Sequence, residues 1–288
     1  MNDIVVIMGP TASGKSALAL EWAERRNGEI VSIDSMQIYR GLEIGTAQPT
    51  AEERRRIPHH LVGIMDIHER QEVFSFCARA DAAIADIVAR GKLPILAGGT
   101  GLYLRSLLYG LDDLPNDPAL RAELDREYDS PAGESALHAR MRELDPAALA
   151  KFSNCRRRLI RALEVRLVTG RSLLELQGAV KPKLRYAVEA WRLDPPAEEL
   201  KARIASRARA MLDAGWIDEA RRAIAAGLFD TPTAHQALGY RIIGEYLQNR
   251  FDRVELEQRL VTATWQFARR QRTWFRHQHP EARLWERS

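Results

Sequence analysis

Cysteine is nearly absent from this sequence. Among 288 residues only Cys77 and Cys155 occur, far apart and outside any C-x-x-C pair. Their scarcity excludes a disulfide framework and a cysteine-built zinc site, and it suits a reducing, cytoplasmic setting. Long hydrophobic runs are missing as well. No stretch approaches the roughly 20 apolar residues that span a bilayer, so no membrane partner is expected. The N-terminus enters a strand-like run at once, without the basic region, apolar segment and cleavage site of a secretory signal. Lysine is scarce too: 6 of the 43 basic residues, against 37 arginines, in a chain of formal net charge +4. Arginine in excess suits bidentate phosphate contacts and base stacking. A GC-rich genome produces the same bias, so placement must separate the two. A hydrophobic share of 45% is ordinary for a globular protein with a substantial core.

What is present begins at the start. The apolar run Ile4–Met8 is followed by Gly9, Pro10, Thr11, Ala12, Ser13, Gly14, Lys15 and Ser16. This is G-x-x-x-x-G-K-[ST] in the strand-then-helix setting that it requires. Glycines let successive backbone N–H groups curl around phosphate oxygens, and the following helix adds its positive end. Lys15 is placed to reach the outer phosphates, and the Ser16 hydroxyl to hold Mg2+. A second buried run, Glu29–Ile33, ends in Asp34, and a third, Lys92–Ala97, ends in Gly98-Gly99-Thr100-Gly101. Ligands of open parallel sheets sit at the carboxyl ends of strands. The phosphate loop, Asp34 and Thr100 are therefore expected in one cleft, with Asp34 orienting or deprotonating an attacking group.

The pattern predicts helices over Ser16–Arg26, Phe74–Gly91, Ala197–Ala214 and Val254–His277, and a strand over Tyr186–Leu193. Between about Leu114-Pro115 and Pro182 it is helical throughout: Asp117–Tyr128, Glu134–Leu144, Asp145–Phe152 and Cys155–Val168. The expectation is an α/β fold, a P-loop NTPase-like parallel sheet flanked by helices with an all-helical insertion domain. The core would be 1–114 with 183–288, and the insertion 115–182. In the last insertion helix Ile160, Leu163 and Leu167 form one apolar stripe, while Arg156, Arg157, Arg158 and Arg161 crowd the first turns. Cations there oppose the helix dipole, so a phosphate-rich partner accounts for them better than helix stability does. Arg203 and Arg207 lie one turn apart, where such arginines can close over phosphates. Arginines interleaved with aromatics in Ala268–Arg276 fit a nucleic-acid surface. The pair His59-His60 suggests metal, but no further ligand lies at the right spacing, which leaves substrate contact or a structural role.

Two classes of function remain open on these residues. One is a small-molecule or nucleoside kinase using ATP, with Asp34 activating a hydroxyl. The other is a transferase on nucleic acid, whose loop holds a diphosphate leaving group. The blocks GPTASGKS (9–16), DSMQIYRG (34–41), IGTAQP (44–49), PHHLV (58–62), GGTGLY (98–103), RRLIRALEV (157–165), LGY (238–240) and ARRQRTWFR (268–276) occur in order. Together they closely resemble the bacterial tRNA dimethylallyltransferases, also called tRNA isopentenyltransferases.

The resemblance implies transfer of a dimethylallyl group from dimethylallyl diphosphate to the N6 amine of the adenine at tRNA position 37, 3′ of the anticodon. It implies that Gly9–Ser16 hold diphosphate and Mg2+ rather than ATP, and that Asp34 takes the proton of the amine. Thr100 would help place the reacting groups, and Arg207 would stabilise the departing diphosphate. The base must leave its stack to reach such a cleft. By the same resemblance Asp34, Ser35, Met36, Gln37, Thr100, Arg121, Arg157, Arg158 and Arg161 contact tRNA. Cys155 replaces an acidic or small residue of the family pattern, and Phe275 an aliphatic one. The resemblance is to the bacterial form, for which no C-terminal zinc finger and no zinc are expected. Nothing in the sequence demands a dimer, and a monomer is expected.

Overall fold

A computed structural model describes residues 3–110, 114, 116–177, 183–279 and 281–285. The chain runs β1 (Asp3–Met8), α1 (Lys15–Arg25), β2 (Gly28–Ile33), α2 (Ala51–Arg56), β3 (His59–His60), α3 (Val73–Ala89), β4 (Leu93–Gly98) and α4 (Gly101–Tyr109). Five helices follow: α5 (Pro118–Glu127), α6 (Pro131–Leu144), α7 (Pro146–Phe152), α8 (Arg156–Thr169) and α9 (Leu173–Gln177). The remainder is β5 (Ala187–Arg192), α10 (Ala197–Asp213), α11 (Trp216–Ala225), α12 (Tyr240–Leu247), α13 (Arg253–Gln278) and β6 (Arg283–Leu284). The chain folds as two compact units, Met1–Gly110 with Leu184–Ser288, and Leu111–Lys183. Pro115 and Pro182, where the sequence changes character, lie outside the described residues. Among the described residues no helix is long and apolar enough to cross a membrane.

The first unit is the expected α/β structure. Its six strands lie in the order β3-β2-β4-β1-β5-β6, every neighbouring pair parallel. β1 and β2 are buried almost throughout, as parallel strands covered on both faces must be. Leu18, Ala19 and Ala23 of α1 pack on one side with Val5, Ile7, Ile30 and Ile95; Phe76, Ala80, Ile84 and Ile87 of α3 pack on the other with Val6, Val31 and Leu96. Register decides the level at which chemistry can occur. Met8 lies opposite Gly98, Gly98 opposite Ile33, and Met8 opposite Arg192. The chain therefore leaves the sheet at one height after four strands, at Gly9, Asp34, Gly99 and Leu193. β3 and β6 have two residues each, too short to register as period-2 patterns in the sequence.

The second unit is entirely helical among its described residues. Three of its helices start on a polar residue followed by proline: Asp117-Pro118, Ser130-Pro131 and Asp145-Pro146. The side chain caps the first free N–H groups, and proline has no N–H to lose at that position. For this reason α6 begins three residues before the expected Glu134. Leu124, Met141, Phe152, Leu159, Ile160 and Leu163 form its core. Leu167, expected in that stripe, is 41% exposed; Leu159 faces inward in its place.

A third, buried cluster underlies the loop Gly41–Pro49. Glu219 of α11, only 2% exposed, accepts hydrogen bonds from the Ile44 amide (2.7 Å), the Gly45 amide (2.8 Å) and the Tyr240 hydroxyl (2.7 Å). Two backbone donors are thus satisfied by one carboxylate, which fixes the loop on α11. Truncation leaves both donors buried and unpaired, at about 1–3 kcal/mol each. Glu219→Ala should therefore lose roughly 2–4 kcal/mol in urea unfolding, against about 1 kcal/mol for Tyr240→Phe. Equal losses in the two variants would show that the loop amides are not anchored through Glu219.

Candidate functional site

The phosphate loop is built as its residue types require. Gly9 runs so close to β5 that a Cβ there would stand 2.5 Å from the Leu193 carbonyl oxygen. Gly14 caps α1 at φ 98°, in the left-handed region that favours glycine. The first turn of α1 carries no acidic side chain, so its N-terminal end keeps a positive field. Thr11, Ala12, Lys15 and Ser16 line a cavity of ≈ 590 Å³; Gly9, Pro10, Ser13 and Gly14 form the loop behind them.

The same cavity is lined by Asp34, Ser35, Met36, Gln37, Thr100 and Arg207. The convergence expected of three strand ends is observed, and it follows from the common height at which those strands stop. Asp34 is half-buried, and its Oδ1 accepts from the amides of Met36 (2.9 Å) and Gln37 (3.3 Å). One carboxylate oxygen therefore closes the turn after β2. Among the described residues Oδ2 has no hydrogen-bond partner, and the carboxylate is held without being consumed. Thr100 accepts the Ser35 amide at 3.0 Å through Oγ1, tying the β4 end to the turn that carries Asp34. Gln37 is a brace: its Nε2 donates to the carbonyls of Thr46 (3.2 Å) and Ala47 (2.8 Å), and its Oε1 accepts from Ser32 (2.8 Å).

Positive charge gathers around the loop. Lys15 Nζ donates to the Pro10 carbonyl at 2.6 Å. Burial brings its pKa down to about 7; Arg207 pushes in the same direction and Asp34 opposes it. Arg207 is itself lowered by burial, partly offset by Asp34, and donates to Thr11 Oγ1 at 3.3 Å. Arg203, on the same face of α10, grips the loop backbone at the Ser13 carbonyl (3.1 Å). Among the described residues no cluster of three or more His, Cys, Asp or Glu could hold a metal ion.

In the helical unit the arginines divide. Glu164 is fully buried in α8 and takes ion pairs from Arg121 and, at 2.9 Å, from Arg161. It also accepts the Asp117 amide at 2.9 Å. A buried carboxylate is tolerated only when so compensated, so both arginines already serve the helical core. Arg156 donates to the carbonyls of Tyr128 and Asp125. Arg157 and Arg158 are exposed, with Arg158 resting over the Phe152 ring at 5.9 Å.

Other expectations shift as well. His60 pairs at 2.7 Å with Glu29, which is only 1% exposed and is also held by Arg90 and Lys92. His59 hydrogen-bonds the Ile57 carbonyl at 2.8 Å and touches the cavity. The arginine–aromatic run of α13 is only partly a surface. Phe275 is buried, Trp274 packs on Gly101, and Arg272 and Arg276 both bind Asp194, while Arg269 and Arg270 are exposed. Gln271 lies in the block 268–276, but its arginine–aromatic pattern does not mark the glutamine as a site residue. It bridges the Thr11 amide (2.8 Å) and the Gly99 carbonyl (2.9 Å). Its one signal is a polar side chain in helical register with buried Ala268 and Phe275.

Comparison with known proteins agrees with this geometry. A family model described as IPP transferase matches residues 37–278, and one described as isopentenyl transferase matches residues 2–61. A tRNA dimethylallyltransferase of Anaeromyxobacter dehalogenans (strain 2CP-C) is 47% identical over 276 residues, 95% of this chain and 91% of the relative. The crystal structure of a Bacillus halodurans tRNA isopentenylpyrophosphate transferase matches with TM-score 0.72 and 36% identity, over 99% of this chain and 90% of that one. A eukaryotic dimethylallyltransferase acting on tRNA matches with TM-score 0.85 and 27% identity, over 99% of this chain and 73% of that one.

The lysine carries a measurable consequence. Unfolded, Lys15 holds its proton to its ordinary value of 10.5; folded, only to about 7. The unfolded chain binds more protons between those values, so stability rises with pH across that window. Lys15→Met should stabilise the ligand-free protein at pH 7, with the gain shrinking by pH 10 in thermal melts. A gain that stays constant with pH would show that the buried ammonium is not its source.

Proposed function

This chain belongs to the IPP transferase family, and on that premise we propose that its cavity joins a prenyl diphosphate to an extruded tRNA base. Prenylation of tRNA is the reaction of the relatives that span nearly the whole chain, and the protein is a tRNA prenyltransferase rather than a kinase. The donor is dimethylallyl diphosphate. The acceptor is the N6 amine of the adenine at position 37, and the products are N6-(dimethylallyl)adenosine and diphosphate. One observation carries this reading: Asp34, its Oδ1 fixed by two amides and its Oδ2 free, faces the same cavity as an intact phosphate loop.

The roles follow from that arrangement. The amides at the start of α1 and the ammonium of Lys15 hold the donor's diphosphate. Asp34 Oδ2 accepts a hydrogen bond from the N6 amine and takes its proton as the nitrogen lone pair attacks C1 of the dimethylallyl group. The C1–O bond breaks, and its electron pair leaves with the diphosphate. Arg207 and Lys15 balance the charge that grows on the leaving oxygens, where preorganised donors act most strongly. Thr100 fixes the turn that aims Asp34, and Ser35 and Met36 offer contacts to the incoming nucleotide.

Mg2+ fits this donor set. The ion ordinarily binds through few protein oxygens together with substrate phosphates and water. The Ser16 hydroxyl at the first turn of α1 is such a donor, on an exposed residue that lines the cavity. Bound with the diphosphate, Mg2+ would supply further charge neutralisation for the leaving group.

Asp34→Asn should lower single-turnover prenylation by about 10²–10⁴-fold, the usual contribution of a general base, while tRNA affinity in filter binding stays within a few-fold. Lost binding with normal turnover of the tRNA that does bind would refute the base role. Arg157→Ala with Arg158→Ala should weaken tRNA binding and reduce the slope of log K against log salt by about 2. An unchanged slope would return those arginines to an ordinary solvated surface.

A further inference from the structure

We propose that Arg203 of α10 is a positioning residue for the phosphate loop: by holding the Ser13 carbonyl it fixes the Ser13–Gly14 peptide, so that the Gly14 amide stays turned toward the donor's diphosphate. The proposal rests on the reading of Gly9–Ser16 as the diphosphate site. It places one amide of that site under the control of a side chain that does not touch the ligand.

Arg203 and Arg207 differ in their tasks although a single turn separates them. Arg207 lines the cavity and reaches the Thr11 hydroxyl at 3.3 Å. Arg203 is not among the residues that line it. Its Nη1 donates to the Ser13 carbonyl at 3.1 Å, and its Nη2 to Glu199, one turn back on α10, at 2.5 Å. Glu199 thus orients the guanidinium and meets its charge, which leaves Arg203 a backbone fastener. Among the described residues no other donor reaches the Ser13 carbonyl.

The local backbone shows why a fastener is needed there. Ala12 stands at φ 60° and Gly14 at φ 98°, both in the left-handed region. Gly14 therefore interrupts the helical ladder, in which the Ser13 carbonyl would otherwise accept the Ala17 amide four residues on. A peptide plane turns about ψ of the residue before it and φ of the residue after it, and glycine restrains φ least. The glycine that the loop requires also leaves this plane free to flip. A trans peptide carries its C=O and N–H on opposite sides, so fastening the carbonyl to Arg203 aims the Gly14 N–H the other way. That amide has no protein acceptor among the described residues, and neither have those of Lys15, Ser16 and Ala17 that follow it. A flipped plane would withdraw one of these donors and turn a carbonyl oxygen toward the anion in its place. Attraction would be exchanged for repulsion.

The test observes that peptide directly. Ser13-Gly14 is the only Ser-Gly pair in the sequence. Full-length protein labelled with 13C′-serine and 15N-glycine therefore shows one correlated amide signal, that of Gly14. Mg2+-pyrophosphate should move this signal well downfield in the wild type, as the amide meets charged oxygens. Arg203→Met keeps the length of the stem without its donors. Its Gly14 signal should shift little or broaden, and calorimetry should show pyrophosphate binding weakened about tenfold, the worth of a hydrogen bond to a charged group. Arg203→Gln, too short to reach the carbonyl, should behave alike and serves if the methionine variant fails to fold. A wild-type signal and wild-type affinity in either folded variant overturn the role of Arg203 while leaving the diphosphate site intact. So does weakened binding with an unaltered Gly14 signal, which would mean that the side chain acts on the ligand itself. Failure of pyrophosphate to bind the wild type at all would overturn the diphosphate site, and the positioning role with it.

Discussion

The common height at which four parallel strands end governs this molecule. Met8, Ile33, Gly98 and Arg192 stand in one register across the sheet, and each next residue departs toward the same space. A slip of one residue would exchange the side chains packed on α1 for those packed on α3 and spoil both interfaces. The register is therefore fixed by strand cores such as Val5, Val31 and Leu96, well removed from the chemistry. A phosphate loop, a carboxylate and a threonine hydroxyl separated by dozens of residues become neighbours as a consequence of core packing. The precision of the site is inherited from the least polar part of the chain.

Around that edge the protein uses buried carboxylates as fasteners. Glu29 gathers Arg90, Lys92 and His60, and the Arg90 guanidinium above all holds its pKa far below the usual carboxylate range. Glu164 gathers Arg121 and Arg161 inside the helical unit. Glu219 gathers two loop amides and a tyrosine hydroxyl. Each stays buried only because donors surround it. These fasteners also give part of the arginine content a structural role inside the protein. A cation at the start of a helix can be the counterion of a carboxylate one turn away, and Glu164 sits three residues after Arg161 in α8.

The strand ends are legible in the sequence because they combine apolar runs with distinctive turn residues, and the helical segment is legible through proline, cap and periodicity. The two-residue strands β3 and β6 are not, since their existence depends on neighbours rather than on local pattern. The convergence of Gly9–Ser16, Asp34 and Thr100 can be read in advance, because parallel topology alone delivers it. The brace role of Gln37, the counterion role of Arg121 and the bridge through Gln271 cannot. All three depend on which polar atom meets which across distant segments, as the 260 residues between Thr11 and Gln271 illustrate. Polar residues inside otherwise apolar helical stripes, Glu164 and Gln271 alike, are the trace that such contacts leave in a sequence.

The cavity itself is unlike the fasteners, and the contrast locates its function. Burial above all, and then Arg207, lowers the proton affinity of Lys15, with Asp34 as the opposing charge, and Asp34 already has one oxygen committed to backbone amides. Elsewhere in the protein buried carboxylates are met by several cations or donors; here cations converge without sufficient anion. Such an imbalance costs stability in the ligand-free protein. On the proposed function the missing charge would arrive with the ligand. A diphosphate would relieve the repulsion between Lys15 and Arg207 and raise the proton affinity of the lysine. It would also occupy the helix end that no acidic side chain has filled. The same charge would grow as the prenyl carbon departs, so the interactions proposed to hold the donor would strengthen along the reaction, which is the condition for binding energy to become rate.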